Sequence, residues 1–261
     1  NNKAHVNEMP TYQRLIKKKR LIKVRDFIDN QDGYFPNSVV INIDEDCRFG
    51  EKSFEKAESR LQNQTVRTAL KKANLEEKDI DCIFAGDLLN QCIGSSFGLR
   101  ELGIPFVGLY GACSTMAESL MMAAMAVGGG FSDKGVAMTS SHFASSERQY
   151  RFPLGYGGQR TPTAQWTVTG AGAAILSKEG EGPFVTHFTS GRIVDYGVKD
   201  ANNMGAAMAP AARKTISDFL KDTGTTPDDY DLILTGDLGF VGSELLKGLL
   251  EREDGIILGE N

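Results

Sequence analysis

Histidine, cysteine and tryptophan are scarce in this chain: three, four and one among 261 residues. The cysteines, Cys47, Cys82, Cys92 and Cys113, contain no C-x-x-C pair, and His5, His142 and His187 are scattered. That spacing excludes the usual zinc arrangements and a disulfide framework, so no metal or cofactor is expected. A reducing, cytoplasmic site of synthesis is the simplest reading of such cysteine usage. Basic excess is lacking too: a net charge of −5 leaves no global positive field to hold nucleic acid. There is no signal-peptide pattern and no run of about 20 apolar residues, so this stretch is not expected to cross a bilayer. The first residue is Asn1 rather than Met, which points to a fragment or a processed product. What is present is an ordinary globular composition, 41% apolar and 24% charged, enough for one large domain or two small ones.

Cys113 is the most informative residue. It sits in Gly111-Ala112-Cys113-Ser114-Thr115, after the apolar run 104–110 and before an Ala/Met-rich stretch, 114–127. The pattern reads as strand, tight turn and helix, with the thiol at the helix N-terminus. Unpaired amides and the positive end of the helix dipole favour thiolate there. An inert buried cysteine is the plain alternative. Helix 114–127 carries a single charge, Glu118, and is expected to be buried on every side.

An internal repeat organises the chain. Asp79-Ile80-Asp81-Cys82-Ile83-Phe84-Ala85-Gly86-Asp87-Leu88 recurs 150 residues later as Asp229-Tyr230-Asp231-Leu232-Ile233-Leu234-Thr235-Gly236-Asp237-Leu238. Each copy follows a predicted helix, 53–73 and 206–221, and an acidic turn. Further strands are predicted at 135–139, 170–177 and 256–258, and further helices at 95–102 and 243–251. Alternating strands and helices imply a mostly parallel sheet covered on both faces. The reading is an α/β fold of duplicated βαβ halves with a central helix layer. Its divisions are an atypical segment 1–45, a first half 46–185 and an incomplete second half 186–261, with about another half-repeat expected in the complete protein. Lys17-Lys18-Lys19-Arg20 in the first segment reads as a solvated helix, with contact to an anionic membrane surface as the alternative.

This layout resembles the thiolase-like superfamily. Within it, the chain is similar to the stage V sporulation protein AD family of endospore-forming bacteria. The residues that carry the resemblance are Ala85 to Gln91, Gly111 to Thr115, Thr139 to His142, Glu147-Arg148-Gln149, Tyr156 to Gln159, Thr167 to Gly170, Met208 to Ala212 and Asp228 to Leu238. The resemblance implies a non-catalytic role: binding dipicolinic acid (pyridine-2,6-dicarboxylate) for uptake into the developing spore. It also implies membrane-embedded SpoVA proteins as partners, a peripheral place at the spore inner membrane, and a homodimer.

Two chemistries are weighed against those residues. In acyl-transferring relatives a cysteine attacks a thioester while histidines move protons. Cys113 holds the nucleophile position, but His142 matches no known catalytic histidine and His187 lies outside any recognisable motif. A planar dianion instead asks for cationic or N–H donors and a flat face for stacking. The stretch after His142 is rich in both, with Arg148, Arg151 and Arg160 within thirteen residues and Tyr156 among them. Cys113, Asp87, His142, Arg148, Arg151 and Tyr156 are therefore the candidate ligand-binding residues. Asp87 has a second reading as a turn cap like its repeat-mate Asp237. Three functions remain: a dipicolinate-binding protein, an acyl-thioester transferase or condensing enzyme of ketoacyl synthase or thiolase type using Cys113, and a scaffold for membrane partners.

Overall fold

A computed structural model describes residues 38–40, 48–89, 92–146, 169–200 and 203–259. The chain forms two units, the first ending at Phe184 and the second beginning at Val185.

The first unit is built on a five-stranded sheet. Its strands are β1 (Ser38–Val40), β2 (Cys82–Gly86), β3 (Phe106–Gly108), β4 (Lys134–Ser141) and β5 (Gly170–Ser177), in the order β1-β5-β4-β2-β3. β2 pairs in parallel with β3 and β4, whereas β5 is antiparallel to both β4 and β1. The sheet is mostly parallel as expected, with β5 alone running against the other strands. Strand direction is set by the connection that precedes a strand, so β5's apolar pattern carried no sign of it.

Helix α1 (Phe54–Ala73) starts where Ser53 accepts a hydrogen bond from the Lys56 amide at 3.3 Å. It ends where Asn74 turns left-handed at φ 54°. Its side chains Leu61, Val66, Ala69 and Leu70 pack on Ile83, Ala85, Val136 and Met138 of the sheet. The alternate residues Phe84 and Ala137 face the other way, onto Ala123, Leu120 and Met116 of α3 (Thr115–Gly128). Period-two burial on both faces is why β2 and β4 read as continuous apolar runs. Between them, α2 (Ile93–Leu99) leads into a 3-10 turn, Arg100–Leu102, and α4 (Phe143–Ser146) follows β4 directly.

Helix α3 departs from expectation. Thr115, Ser119, Ala123 and Val127 form its buried stripe, while Ala117 and Met125 are exposed. A sheet covers one side of a helix, and burying the opposite side takes another layer. Alanine-rich sequence does not distinguish the two sides.

The second unit repeats the first unit's opening. Helix α5 (Met204–Thr223) has the same length as α1 and begins 150 residues later. Both end on a left-handed residue, Asn74 and Gly224, and run into a one-turn 3-10 helix closed by a capping box. In each box the N3 carboxylate, Asp79 or Asp229, accepts from the amide of the N-cap residue three positions earlier, Glu76 or Thr226. After this the copies diverge. Leu232-Ile233-Leu234 has no strand partner among the described residues, and Leu234 is 75% exposed. The predicted strand at 256–258 is likewise unpaired among them. A strand exists only where a neighbour completes its ladder. Helix α6 (Gly239–Leu249) packs on α5 around Ala209, Leu238, Leu246 and Leu250. A Cβ at Gly205 would lie 2.2 Å from the Leu238 carbonyl oxygen, so glycine is required at that crossing.

Candidate functional site

Cys113 lies in a 3-10 turn, Ala112–Ser114, between the edge strand β3 and α3. Small residues make the turn fit. A Cβ on Gly86 would meet the Leu109 carbonyl oxygen at 2.1 Å and the Thr115 methyl at 2.7 Å. A Cβ on Gly111 would sit 2.6 Å from both Glu118 Oε2 and Ser114 Oγ. Ala112 takes φ 49°, a left-handed conformation unusual for alanine, immediately before the cysteine. Hydrogen bonds hold it there: Thr115 Oγ1 donates to the Ala112 carbonyl at 2.8 Å and Ser114 Oγ to the Gly111 carbonyl at 2.7 Å. Cys113 is exposed at the turn before the N-terminus of α3; the Ser114 and Thr115 amides are taken by the turn itself, donating to the Gly111 and Ala112 carbonyls, so what the helix end offers there is the positive end of its dipole. The turn lies at the carboxyl ends of β2, β3 and β4, the edge where open α/β sheets carry their sites. Glu118, one turn into α3, keeps one carboxylate oxygen buried against this turn with no hydrogen-bond donor opposite it.

The other described cysteines differ. Cys92 is buried with its thiol 2.9 Å from the Leu109 carbonyl oxygen, and burial followed by the nearby Asp87 charge pushes its pKa up. Burial also raises the Cys82 thiol. Among the described cysteines, Cys113 is exposed, Cys82 half-buried and Cys92 buried.

Asp87 is fully buried at the end of β2. Its carboxylate accepts from the Leu89 amide at 2.8 Å, the Ser95 amide at 2.7 Å and the Ser95 hydroxyl at 2.6 Å. Asp237 accepts from the Gly239 amide in the same Asx turn, also at 2.8 Å. The cap reading weighed for Asp87 therefore has a direct geometric basis. His142 is fully buried just after β4, with Nδ1 accepting from the Ala144 amide at 3.1 Å. Its ring packs on Phe54 at 5.2 Å, and the Arg48 guanidinium lies 5.1 Å from the same phenyl ring. Arg148, Arg151 and Tyr156 lie outside the described residues.

A concavity elsewhere is lined by Arg67, Lys71, Asn74 and Lys78. It sits at the C-terminal end of α1, beside the amino ends of the strands, and is a dimple around the helix cap rather than part of this site.

Sequence reasoning missed a buried polar network behind the strand ends. Gln62 Nε2 donates to Ser95 Oγ at 3.2 Å and to Ser140 Oγ at 2.6 Å. Ser95 then donates to Asp87, and Ser140 donates to Glu58 at 2.8 Å. Ser145 Oγ lies 2.9 Å from the other Glu58 oxygen. Both Glu58 and Gln62 are fully buried. Burial raises the Glu58 pKa to about 7; the Ser140 hydrogen bond opposes the rise and the Asp87 charge adds to it. A signal was available: Glu58, Gln62 and Thr65 fall at helical spacing on the same stripe as Leu61 and Val66.

The fold has counterparts among known proteins. Solved structures of similar fold include 3-oxoacyl-[acyl-carrier-protein] synthase III from Aquifex aeolicus (TM-score 0.53, 13% identity, 76% of this chain and 67% of that one). A variant of OleA from Xanthomonas campestris bound with cerulenin gives a TM-score of 0.56 at 14% identity, over 77% of this chain and 64% of that one. At such identity the likeness is one of fold, and the α/β architecture is thiolase-like. The stage V sporulation protein AD of Bacillus subtilis (strain 168) is 48% identical over 209 residues, which are 80% of this chain. The chain spans 62% of that relative's length. No helix among the described residues is long and apolar enough to cross a membrane. The family model for stage V sporulation protein AD matches residues 30–261, and with the close relative it establishes that this chain belongs to the stage V sporulation protein AD family, proteins of bacterial sporulation on a thiolase-like fold.

Proposed function

We propose that this chain binds dipicolinic acid beside the Cys113 turn, for uptake into the developing spore, and performs no chemistry on it. Its partners in this reading are the membrane-embedded SpoVA proteins at the spore inner membrane, and its assembly is a homodimer. The observation that carries the reading is the exposed turn at the N-terminus of α3, a favourable place for a carboxylate, in a chain of a sporulation family. His142 is sealed from solvent with its Nδ1 engaged by the chain's own amide, which argues against proton transfer by this imidazole and equally against its contacting the ligand directly. Arg148, Arg151 and Tyr156 are the proposed cationic and stacking partners of the ligand.

Dipicolinate at 100 times its dissociation constant is expected to stabilise the protein by about 2.7 kcal/mol. A thermal melt reads this as a clear rise in Tm, smaller in Arg148→Ala and Arg151→Ala. No rise at millimolar dipicolinate would sink the reading.

One observation favours acyl transfer as the second reading. The single exposed thiol among the described cysteines follows a left-handed alanine in a tight turn, a geometry suited to presenting a nucleophile. Incubation with a coenzyme A thioester would then leave an acyl adduct on Cys113, visible by intact mass and absent in Cys113→Ala. The binding reading expects no adduct.

A further inference from the structure

Two buried carboxyls, Glu58 and Asp87, end the two arms of one hydrogen-bonded network that starts at the Gln62 amide. Their surroundings differ. Asp87 is held by three donors, two of them backbone amides, as a carboxylate requires. Glu58 has two serine hydroxyls. With Gln62 Nε2 donating to Ser140, the serine's own proton points to Glu58 Oε1. Ser145 is free to act either as donor to Oε2 or as acceptor from a protonated Oε2.

Among the described residues, the charges that act on Glu58 are acidic. Asp87, from the end of β2, and Glu55, from its own helix, are both acids that disfavour ionisation. From the β4–α4 corner comes His142, whose Nδ1 accepts a hydrogen bond; from the segment before α1 comes Arg48, and both pack on the Phe54 ring. The two serines belong to different places: Ser140 to the paired part of β4, and Ser145 to the corner beyond it. Glu58 thus ties α1 to both sides of His142.

We propose that Glu58 is a proton-sensitive latch: its neutral carboxyl accepts from Ser140, donates to Ser145 and holds the His142 corner against α1, and loss of that proton to water releases the corner. Ionisation puts a second negative charge beside Asp87 in a dry interior, and the least costly relief is for Ser145 and its corner to move so that water reaches the carboxylate. Because the corner follows β4 at the edge that carries the Cys113 turn, the latch makes the candidate site depend on pH; that consequence rests on the ligand reading above.

Amide hydrogen exchange of the whole protein at pH 5.5 and 8.5, corrected for intrinsic rates, tests the latch without any ligand. Protection of peptides covering 140–146 is expected to fall roughly tenfold or more at the higher pH. Glu58→Gln, whose amide accepts from Ser140 and donates to Ser145 at any pH, is expected to keep protection at both. Equal wild-type protection at the two pH values, or a fall in Glu58→Gln parallel to wild type, would overturn the proposal. Should Glu58→Gln fail to fold, Ser145→Ala decides: low protection at both pH values is expected, and a wild-type pH response would overturn it. Dipicolinate melts at the same two pH values separate the ideas. Absence of any shift sinks ligand binding alone, leaving the exchange result to judge the latch. Equal shifts at both pH values overturn its control of the site.

Discussion

At Gly86 a single hydrogen atom decides the geometry of the candidate site. A Cβ there would drive into the Leu109 carbonyl and the Thr115 methyl, which flank the Cys113 turn. Gly86→Ala is expected to cost about 2 kcal/mol or more, because one of the clashing atoms is backbone, and a urea midpoint would register the loss. Thiol chemistry gives a second residue-scale expectation. Under native alkylation Cys113 should react first, half-buried Cys82 more slowly and buried Cys92 last, burial raising both of the latter thiols; peptide mass mapping reads the order. Glu58 sets a pH dependence whose sign is definite. Its pKa rises from an ordinary 4.5 to about 7 in the fold, so its contribution is fully present below about 4.5 and is lost as pH climbs to about 7. The loss is of the order of 3 kcal/mol. Unfolding free energies of wild type relative to Glu58→Gln should decline across that window and level off above it. The comparison with Glu58→Gln matters because Asp254, held low by Arg213, loses stability in the opposite direction, as pH falls.

Among the elements, the repeat separates what is copied from what is used. Helix, left-handed cap, capping box and Asx turn all recur at the same offset, because each is dictated by a few adjacent residues. Burial does not recur: Asp87 lies inside the unit, whereas Asp237 is exposed. Asp87→Ala should therefore cost about 1–3 kcal/mol by stranding the Ser95 and Leu89 donors, and Asp237→Ala far less. Chemical unfolding of the two variants checks the contrast; equal losses would mean that the Asx turn alone, not the buried network, accounts for Asp87. Helix α3 makes the complementary point. Its apolar composition is uniform, yet the sheet selects the stripe through Thr115, Ser119, Ala123 and Val127. Ser119 belongs to that stripe because its hydroxyl is satisfied by the Thr115 carbonyl at 2.6 Å.

Across the whole molecule, the order of helices and strands in the first unit, the turn that carries Cys113 and the family likeness were legible from the chain alone, whereas the strands expected at 232–234 and 256–258 are not formed among the described residues. They rest on local spacing, on cap residues and on short motifs, which survive without knowledge of neighbours. The thiolase-like fold and the sporulation family agree with that reading. The network of Glu58, Gln62, Ser95, Ser140 and Ser145 was not legible, although two of its members sit on the core stripe of α1. A polar residue at such a position signals a partner without naming it, and the partners here are 33 to 87 residues away.

The chain by itself determined that these helices exist and roughly where they lie, that a unit is used twice, and that one cysteine sits at a strand–turn–helix corner, because hydrophobic period and capping chemistry act over a few residues. Only the tertiary structure decided that β5 runs against its neighbours, that α3 covers one side of a sheet, that Asp87 and His142 are sealed inside, and that Glu58 stands between two serines with the Asp87 and Glu55 charges acting on it. Those outcomes depend on which distant groups share a dry interior, where the energy of a charge or a hydrogen bond is set by its surroundings and not by its place in the sequence.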